Sequence, residues 1–200
     1  MDTNSPNNDL VIFAEEVNKR VNVSVAEVDQ FLSLWEIREY KRNELILRAG
    51  MIPAFSMFVL NGCLRQYVVS DEGRESVVYF AEERHFIGDL PALRNKVPSD
   101  FNFQAIEPCR VLVLTKDNWE QSSIRFPWWM EAHIKGYQKW AINMQQQIAD
   151  MQLKSGEERY LELLKRRPAL FQRVPQHYIA SYLGLTPETL SRIRKKLTNG

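Results

Sequence analysis

Three rhythms of apolar and polar residues succeed one another along the chain, and each predicts a different kind of structure. After a polar lead, residues 10–21 carry apolar side chains at helical spacing and predict a short helix. Ser24 followed by Glu27 has capping-box spacing, in which hydroxyl and carboxylate satisfy each other's orphan backbone N–H groups. It predicts a second helix with Val25, Val28, Phe31 and Leu32 as its apolar face. From about Trp35 to Thr115 the texture becomes short β-like runs, at Ile46-Leu47 and at residues 55–60, 64–69, 77–80 and 111–114. Asn61-Gly62 reads as a type I′ hairpin turn, which needs positive φ at both central residues. Asp71-Glu72-Gly73 marks a second, longer turn. Short strands with a turn every ten or so residues predict a closed or sandwiched β-domain.

The third rhythm is a long helix over residues 127–153, with Pro127 suited to its first turn and no proline beyond it. Met130, Ile134, Tyr137, Ala141, Met144, Ile148 and Met151 are separated by alternating steps of four and three. That is the a/d pattern of a seam against a partner helix, and it predicts a homodimer. Trp128, Trp129 and Trp140 lie off the seam and predict that the helix also packs on its own chain. Helices then follow at residues 156–166, 176–183 and 187–197, with Pro168 and Pro175 punctuating the joint between the first two.

The last two of these helices carry the functional signal. Ile179, Ala180 and Leu183 give the first an apolar face, and Gly184 stands where the chain must turn sharply. Thr186 suits an N-cap, Pro187 the first helical position and Glu188 the positive helix end. Leu190, Ile193 and Leu197 face inward, leaving Thr189, Ser191, Arg192, Lys195 and Lys196 outward. Two short helices joined by a tight glycine-containing turn, the second basic outside, predict a helix-turn-helix. A major groove admits one helix, so Arg192 can bond a guanine bidentately and Glu188 accept from a cytosine amino group. Arg194, Lys195 and Lys196 are placed for phosphate.

Charge sharpens this reading. The net charge of +1 hides ten Lys/Arg against four Asp/Glu in residues 154–200, on an otherwise acidic body. A basic unit on an acidic body suggests a polyanion partner for that unit. No stretch approaches the roughly 18 apolar residues of a membrane helix, and the start is polar and acidic, so a cytoplasmic protein without a signal peptide is expected. Cys63 and Cys109 are too few for a disulfide framework, and His85, His133 and His177 have no metal-binding spacing, so no metal site is expected. No nucleophile–base pair or phosphate-cradling glycine loop stands out, which speaks against an enzyme, including a cupin-type metalloenzyme.

The whole of residues 27–197 resembles the Crp–Fnr family of bacterial transcription regulators. The resemblance is carried by Ile46-Leu47-Arg48-Ala49-Gly50, Phe58-Val59-Leu60-Asn61-Gly62-Cys63-Leu64-Arg65, Phe86-Ile87-Gly88-Asp89 and residues 188–197. It implies an α+β architecture: an effector-sensing, cyclic-nucleotide-binding-type β-roll with N-terminal helices (1–126), a dimerisation helix (127–153) and a helix-turn-helix unit (154–200). It implies double-stranded DNA, a second copy of the chain and RNA polymerase as partners. In the family's reading motif an Arg-Glu pair is followed by Arg four residues after the Glu; Glu188 and Arg192 match, while Pro187 replaces the first Arg.

The same resemblance places an effector pocket at Gly88, Asp89, Leu90, Arg94, Ser99 and Asp100. The family's cyclic-nucleotide cassette has Gly-Glu and then Arg before a small residue. Here Asp89 is a shorter carboxylate, and Ser99-Asp100 stand where that Arg is expected. Asp100 would repel a phosphate, with Arg94 as the nearby substitute, so cyclic AMP is not the expected effector and no cofactor is assigned. His85 or Cys63 as a haem ligand stays open beside the ordinary reading of both as structural residues. The hairpin wing that often follows the family's recognition helix is not expected, with three residues after Leu197. The competing function is a small-molecule sensor whose C-terminal helices bind a protein.

Overall fold

Strands this short are stable when paired and stacked, and residues 57–60 and 111–114 are buried on both faces, inside the roll and under the helices. In the computed structural model, which describes residues 6–198, the strands are β1 (Trp35–Tyr40), β2 (Leu45–Leu47), β3 (Phe55–Asn61), β4 (Leu64–Val69), β5 (Glu75–Ala81), β6 (Phe86–Ile87), β7 (Asn102–Ala105) and β8 (Cys109–Thr115). The first five residues of the polar lead lie outside the described residues. Two four-stranded antiparallel sheets, ordered β1-β8-β3-β6 and β2-β7-β4-β5, form a β-roll. Its centre is the β3–β8 pair, where Met57 faces Val113 and both are fully buried.

Asn61-Gly62 is not a hairpin turn. β3 and β4 belong to different sheets, and Gly62, at φ 100°, is where the chain crosses between them. Asn61 ends β3 and is not among the positive-φ residues, so a type I′ turn does not form. The glycine is needed for close approach, because a Cβ there would lie 2.6 Å from Cys109 Sγ and 2.7 Å from the Pro108 carbonyl. The other turn joins β4 to β5, with Gly73 at φ 80°.

Helices cover one end of the roll. α1 (Pro6–Asn18) starts earlier and ends sooner than its apolar pattern predicts, and the Asp9 carboxylate pairs bidentately with Arg110 on β8. α2 (Val25–Leu32) begins with the expected capping box, but Val25 in its first turn is exposed and only Val28 and Phe31 are buried. Two helices on the roll side, α3 (Leu90–Asn95) and α4 (Lys116–Arg125), were not legible in the sequence, nor was the short helix at Leu170–Arg173. α5 (Pro127–Leu153) spans the predicted long helix. Its start is held by an aromatic cluster: Trp129, 1% exposed, lies 4.8 Å from Phe31 and 5.7 Å from Trp119 between ring centroids.

Beyond α5 come α6 (Gly156–Arg166), α7 (Leu170–Arg173), α8 (Gln176–Tyr182) and α9 (Pro187–Thr198). α6 opens on a second capping box, Ser155 with Glu158. Lys154, at the corner, reaches Asp150 on α5 at 2.9 Å and Glu162 on α6 at 2.6 Å.

Candidate nucleic-acid interface and effector cavity

α8 and α9 are joined as a helix-turn-helix requires. Gly184 at φ 66° ends α8 in a left-handed cap, with Leu185 N–H donating to the Ala180 carbonyl. Thr186 Oγ1 accepts the Thr189 N–H at 3.2 Å, the expected N-cap of α9. Leu190 is buried and Ile193 half-buried, whereas Leu197 is 39% exposed, because the helix's last turn runs past its supporting core. Pro187, Glu188, Ser191, Arg192, Lys195 and Lys196 are exposed. Thr189 and Arg194 are half-buried, and Arg192 donates to Thr189 Oγ1 at 3.2 Å, which presets its guanidinium. The Glu188 carboxyl is held below its ordinary value by its own backbone N–H and by Thr186, so it is an anion and an acceptor at neutral pH. Lys196 is tied to Glu157 of α6 at 2.7 Å.

This unit is docked on the roll by contacts that the sequence did not reveal. Ser181 Oγ accepts the Val77 N–H and donates to the Glu75 carbonyl, joining α8 to β5. Arg167 donates to Glu82 and to the Phe80 carbonyl. Arg173 bridges Glu83 and Glu107, and Glu83 also accepts the Gly62 N–H. Burial works against the Glu83 charge, but the bonds from Arg173 outweigh it and its carboxyl stays below the ordinary range.

Along α5 the predicted seam is largely uncovered in the single chain. Ile134, Tyr137, Ile148 and Met151 are 43–58% exposed, and Met130, Ala141 and Met144 are half-buried. Tyr137, Met144 and Met151 of the seam, together with Trp129, His133, Gly136, Trp140, Asn143 and Gln147, line a cavity of about 800 Å³.

That cavity lies among the roll, α5 and the C-terminal unit. Gly88, Asp89 and Leu90 line it; Arg94, Ser99 and Asp100 do not. Asp89 is spoken for: one oxygen caps α3 at Ala92 N–H, and the other accepts from Ser99 Oγ at 2.7 Å. Arg94 instead lines a separate cavity behind α3. The walls hold residues that the sequence reading did not assign to the pocket, among them Phe86, Trp140, Tyr182 and His133, because nothing in linear spacing brings them together. Burial, reinforced by Arg20 and Arg94, lowers the His133 imidazole to about 4, and burial likewise lowers His85. Both rings are neutral at pH 7. His85 also lines the cavity, whereas Cys63 is fully buried under the C-terminal unit. Among the described residues no group of three or more His, Cys, Asp or Glu could hold a metal, and no helix is long and apolar enough to cross a membrane.

Residues 37–123 match the cyclic nucleotide-binding domain family. No curated protein matches the chain. Among solved structures it is similar to the c-di-GMP-responsive global regulator CLP of Xanthomonas campestris (18% identity, 88% of this chain and 92% of that one, TM-score 0.73). It is also similar to FixK2 of Bradyrhizobium japonicum (20%, 82% and 85%, TM-score 0.65) and the catabolite activator protein of Thermus thermophilus (19%, 89% and 85%, TM-score 0.56). The segment 37–123 is thus a cyclic nucleotide-binding-type domain. The chain as a whole shares the fold of these structures, a β-roll leading through a long helix into a helical C-terminal unit.

Proposed function

We propose that this protein is a homodimeric, sequence-specific DNA-binding transcription regulator of the Crp–Fnr type, acting in the cytoplasm. The carrying observation is α9: a capped helix on a glycine turn, with Glu188, Ser191, Arg192 and Lys195 exposed on one side and Leu190 buried on the other. Residues 1–126, 127–153 and 154–200 serve as sensing domain, dimerisation helix and DNA-binding unit. Thr186, Pro187, Glu188, Thr189, Ser191 and Arg192 face base edges, with Arg192 and Glu188 as readers. Arg194, Lys195 and Lys196 take phosphates, Lys196 after leaving Glu157. The exposed apolar seam on α5 supports the dimer, since side chains such as Ile134 and Ile148 gain by leaving water.

The effector cavity takes something other than a cyclic nucleotide. Asp89 is engaged by Ser99 and by the cap of α3, and Ser99-Asp100 stand where the family resemblance expects the arginine that pairs a cyclic phosphate. Random duplex DNA selected on the purified protein, then sequenced, tests the function. An inverted repeat with half-sites about one helical turn apart is expected. Enrichment of no sequence, with or without cell-extract metabolites, would sink the reading. Arg192→Gln should relax one base position at a cost of about 1–3 kcal/mol, whereas Lys195→Gln should weaken all sequences alike and flatten the salt dependence.

A further inference from the structure

A ladder of rings runs along the effector cavity. On α5, Trp129, His133, Tyr137 and Trp140 follow at steps of four, four and three, which sets them on one stripe of the helix. Successive ring centroids are 5.9, 6.5 and 5.2 Å apart, and the planes of His133, Tyr137 and Trp140 tilt by only 31° and 34° from one to the next. All four rings line the cavity, and Phe86 of β6 extends the ladder at 5.7 Å from Trp129. Tyr79 and His85, with rings 6.2 Å apart, stand on the wall that the roll supplies. We propose that this cavity takes an uncharged aromatic molecule bearing a hydroxyl or N–H group, laid against the α5 rings with its donor on His85. The proposal rests on the reading of the cavity as the effector site.

The charges around the cavity are already engaged. Arg20 and Lys19 pair with Glu16, Arg84 with Glu15 and Arg167 with Glu82. Arg173 holds Glu83, Lys154 holds both Asp150 and Glu162, and Asp89 is taken by Ser99. Arg159 donates to the main-chain carbonyls of Lys154 and Leu183. Of the charged side chains on the walls, only Lys139 has no partner among the described residues, and it is exposed to water. An ionic ligand must therefore break a pair or lie uncompensated among rings, and either carries a desolvation cost. An uncharged ligand disturbs none of the pairs. Polar recognition then falls to neutral groups. His85 Nδ1 lies 3.1 Å from the Glu83 carbonyl, which can only accept, so Nδ1 carries the proton. The ring is neutral at pH 7, and its Nε2 is left as an acceptor for a ligand O–H or N–H. A planar ring gains from offset or edge-on contact with a row of aromatic side chains, and a volume of about 800 Å³ suits a ligand of drug size.

Equilibrium dialysis of the full-length protein against 2-naphthol and against 2-naphthoate, at neutral pH and without DNA, tests the assignment. The two probes share their rings and differ in charge. Saturable binding of 2-naphthol at one per chain is expected, with 2-naphthoate at least about tenfold weaker. Trp140 is 39% exposed, so Trp140→Ala keeps the fold and should weaken 2-naphthol by about three- to tenfold through lost ring contact. His85→Phe should weaken it by about tenfold and leave 2-methoxynaphthalene, which has no donor, nearly unchanged. Urea unfolding checks that both variants are folded, and Lys139→Gln should alter neither probe. The proposal is overturned if 2-naphthol does not saturate, if 2-naphthoate binds as tightly, or if either ring variant binds 2-naphthol as the parent protein does. An enriched DNA repeat without naphthol binding would remove this ligand assignment alone. Naphthol binding without an enriched repeat would remove the DNA-binding reading alone.

Discussion

The guanidinium carbon of Arg65, on β4, lies 3.8 Å from the ring centroid of Tyr178, on α8, and 3.9 Å from that of Tyr67 on its own strand. Arg65 is 2% exposed, and its Nε and Nη1 donate to Gln104 and Glu75. A cation sandwiched between two rings, one from each side of the joint, is desolvated, where such contacts are strongest. Tyr178→Ala should therefore destabilise the protein by roughly 1–2 kcal/mol, and Tyr178→Phe, which keeps the ring, by less than about 0.5 kcal/mol. Urea unfolding of the two variants measures the difference; equal losses would refute it.

A second joint is ionic. Arg173 with Glu83 and Glu107 is about one-quarter to one-third exposed, so solvent screens it only in part. Arg173→Met should cost on the order of 1–2 kcal/mol, a loss that shrinks in 1 M NaCl as the native pair is screened. The measurement is the shift in unfolding midpoint at low and high salt.

Two of the positive-φ glycines of the roll, Gly62 and Gly73, should respond differently. At Gly62 a methyl group would meet sulfur and a carbonyl oxygen as well as an unfavourable φ, so Gly62→Ala should cost about 3 kcal/mol or more. Gly73, at φ 80°, has nothing within 4 Å of the added carbon, and Gly73→Ala should cost only about 1 kcal/mol. Thermal unfolding of the pair separates steric from conformational loss.

Acid should weaken the fold through His133. Its imidazole titrates at about 4 in the native state, chiefly through burial, and near 6.5 when unfolded. Because the unfolded chain binds the proton first, stability is full above about pH 6.5 and falls as pH drops toward 4, by at most on the order of 2–3 kcal/mol. His133→Gln should flatten that part of the stability–pH curve; an unchanged slope would show that other groups carry it.

Cys63 and Cys109 are both buried, and burial is the first cause that pushes their thiols up to about 12 and about 11. A thiolate is the reactive form, so disulfide reagents should label neither residue at pH 8 until the chain unfolds. Labelling followed with and without urea checks this.

What could be read from the sequence depended on whether a signal was local. The long helix, the Ser24–Glu27 capping box and the turn before α9 are written in neighbouring residues. β1 was hidden because Glu36, Arg38 and Glu39 interrupt its apolar residues and Ile37 points outward, 48% exposed. Gly62 announced its unusual backbone but not its purpose, since Cys109 and Pro108 lie more than forty residues away in sequence. The cavity residues and the docking arginines were invisible for the same reason: Arg167 and Glu82 are 85 positions apart. Arg94 was placed in the effector pocket by analogy, but one helical turn of α3 carries it into the cavity behind.

Only Lys154 and Ser155 stand between the long helix and the C-terminal unit, and neither is slack. Lys154 clasps a carboxylate on each side of the corner, and Ser155 is locked into the cap of the next helix. The corner is therefore an elbow set in plaster rather than a swivel. A twist of the long helix about its own axis, such as a change of pitch between two paired helices would impose, is delivered as torque to α6, and the berth on β5 must either yield to it or hold it back.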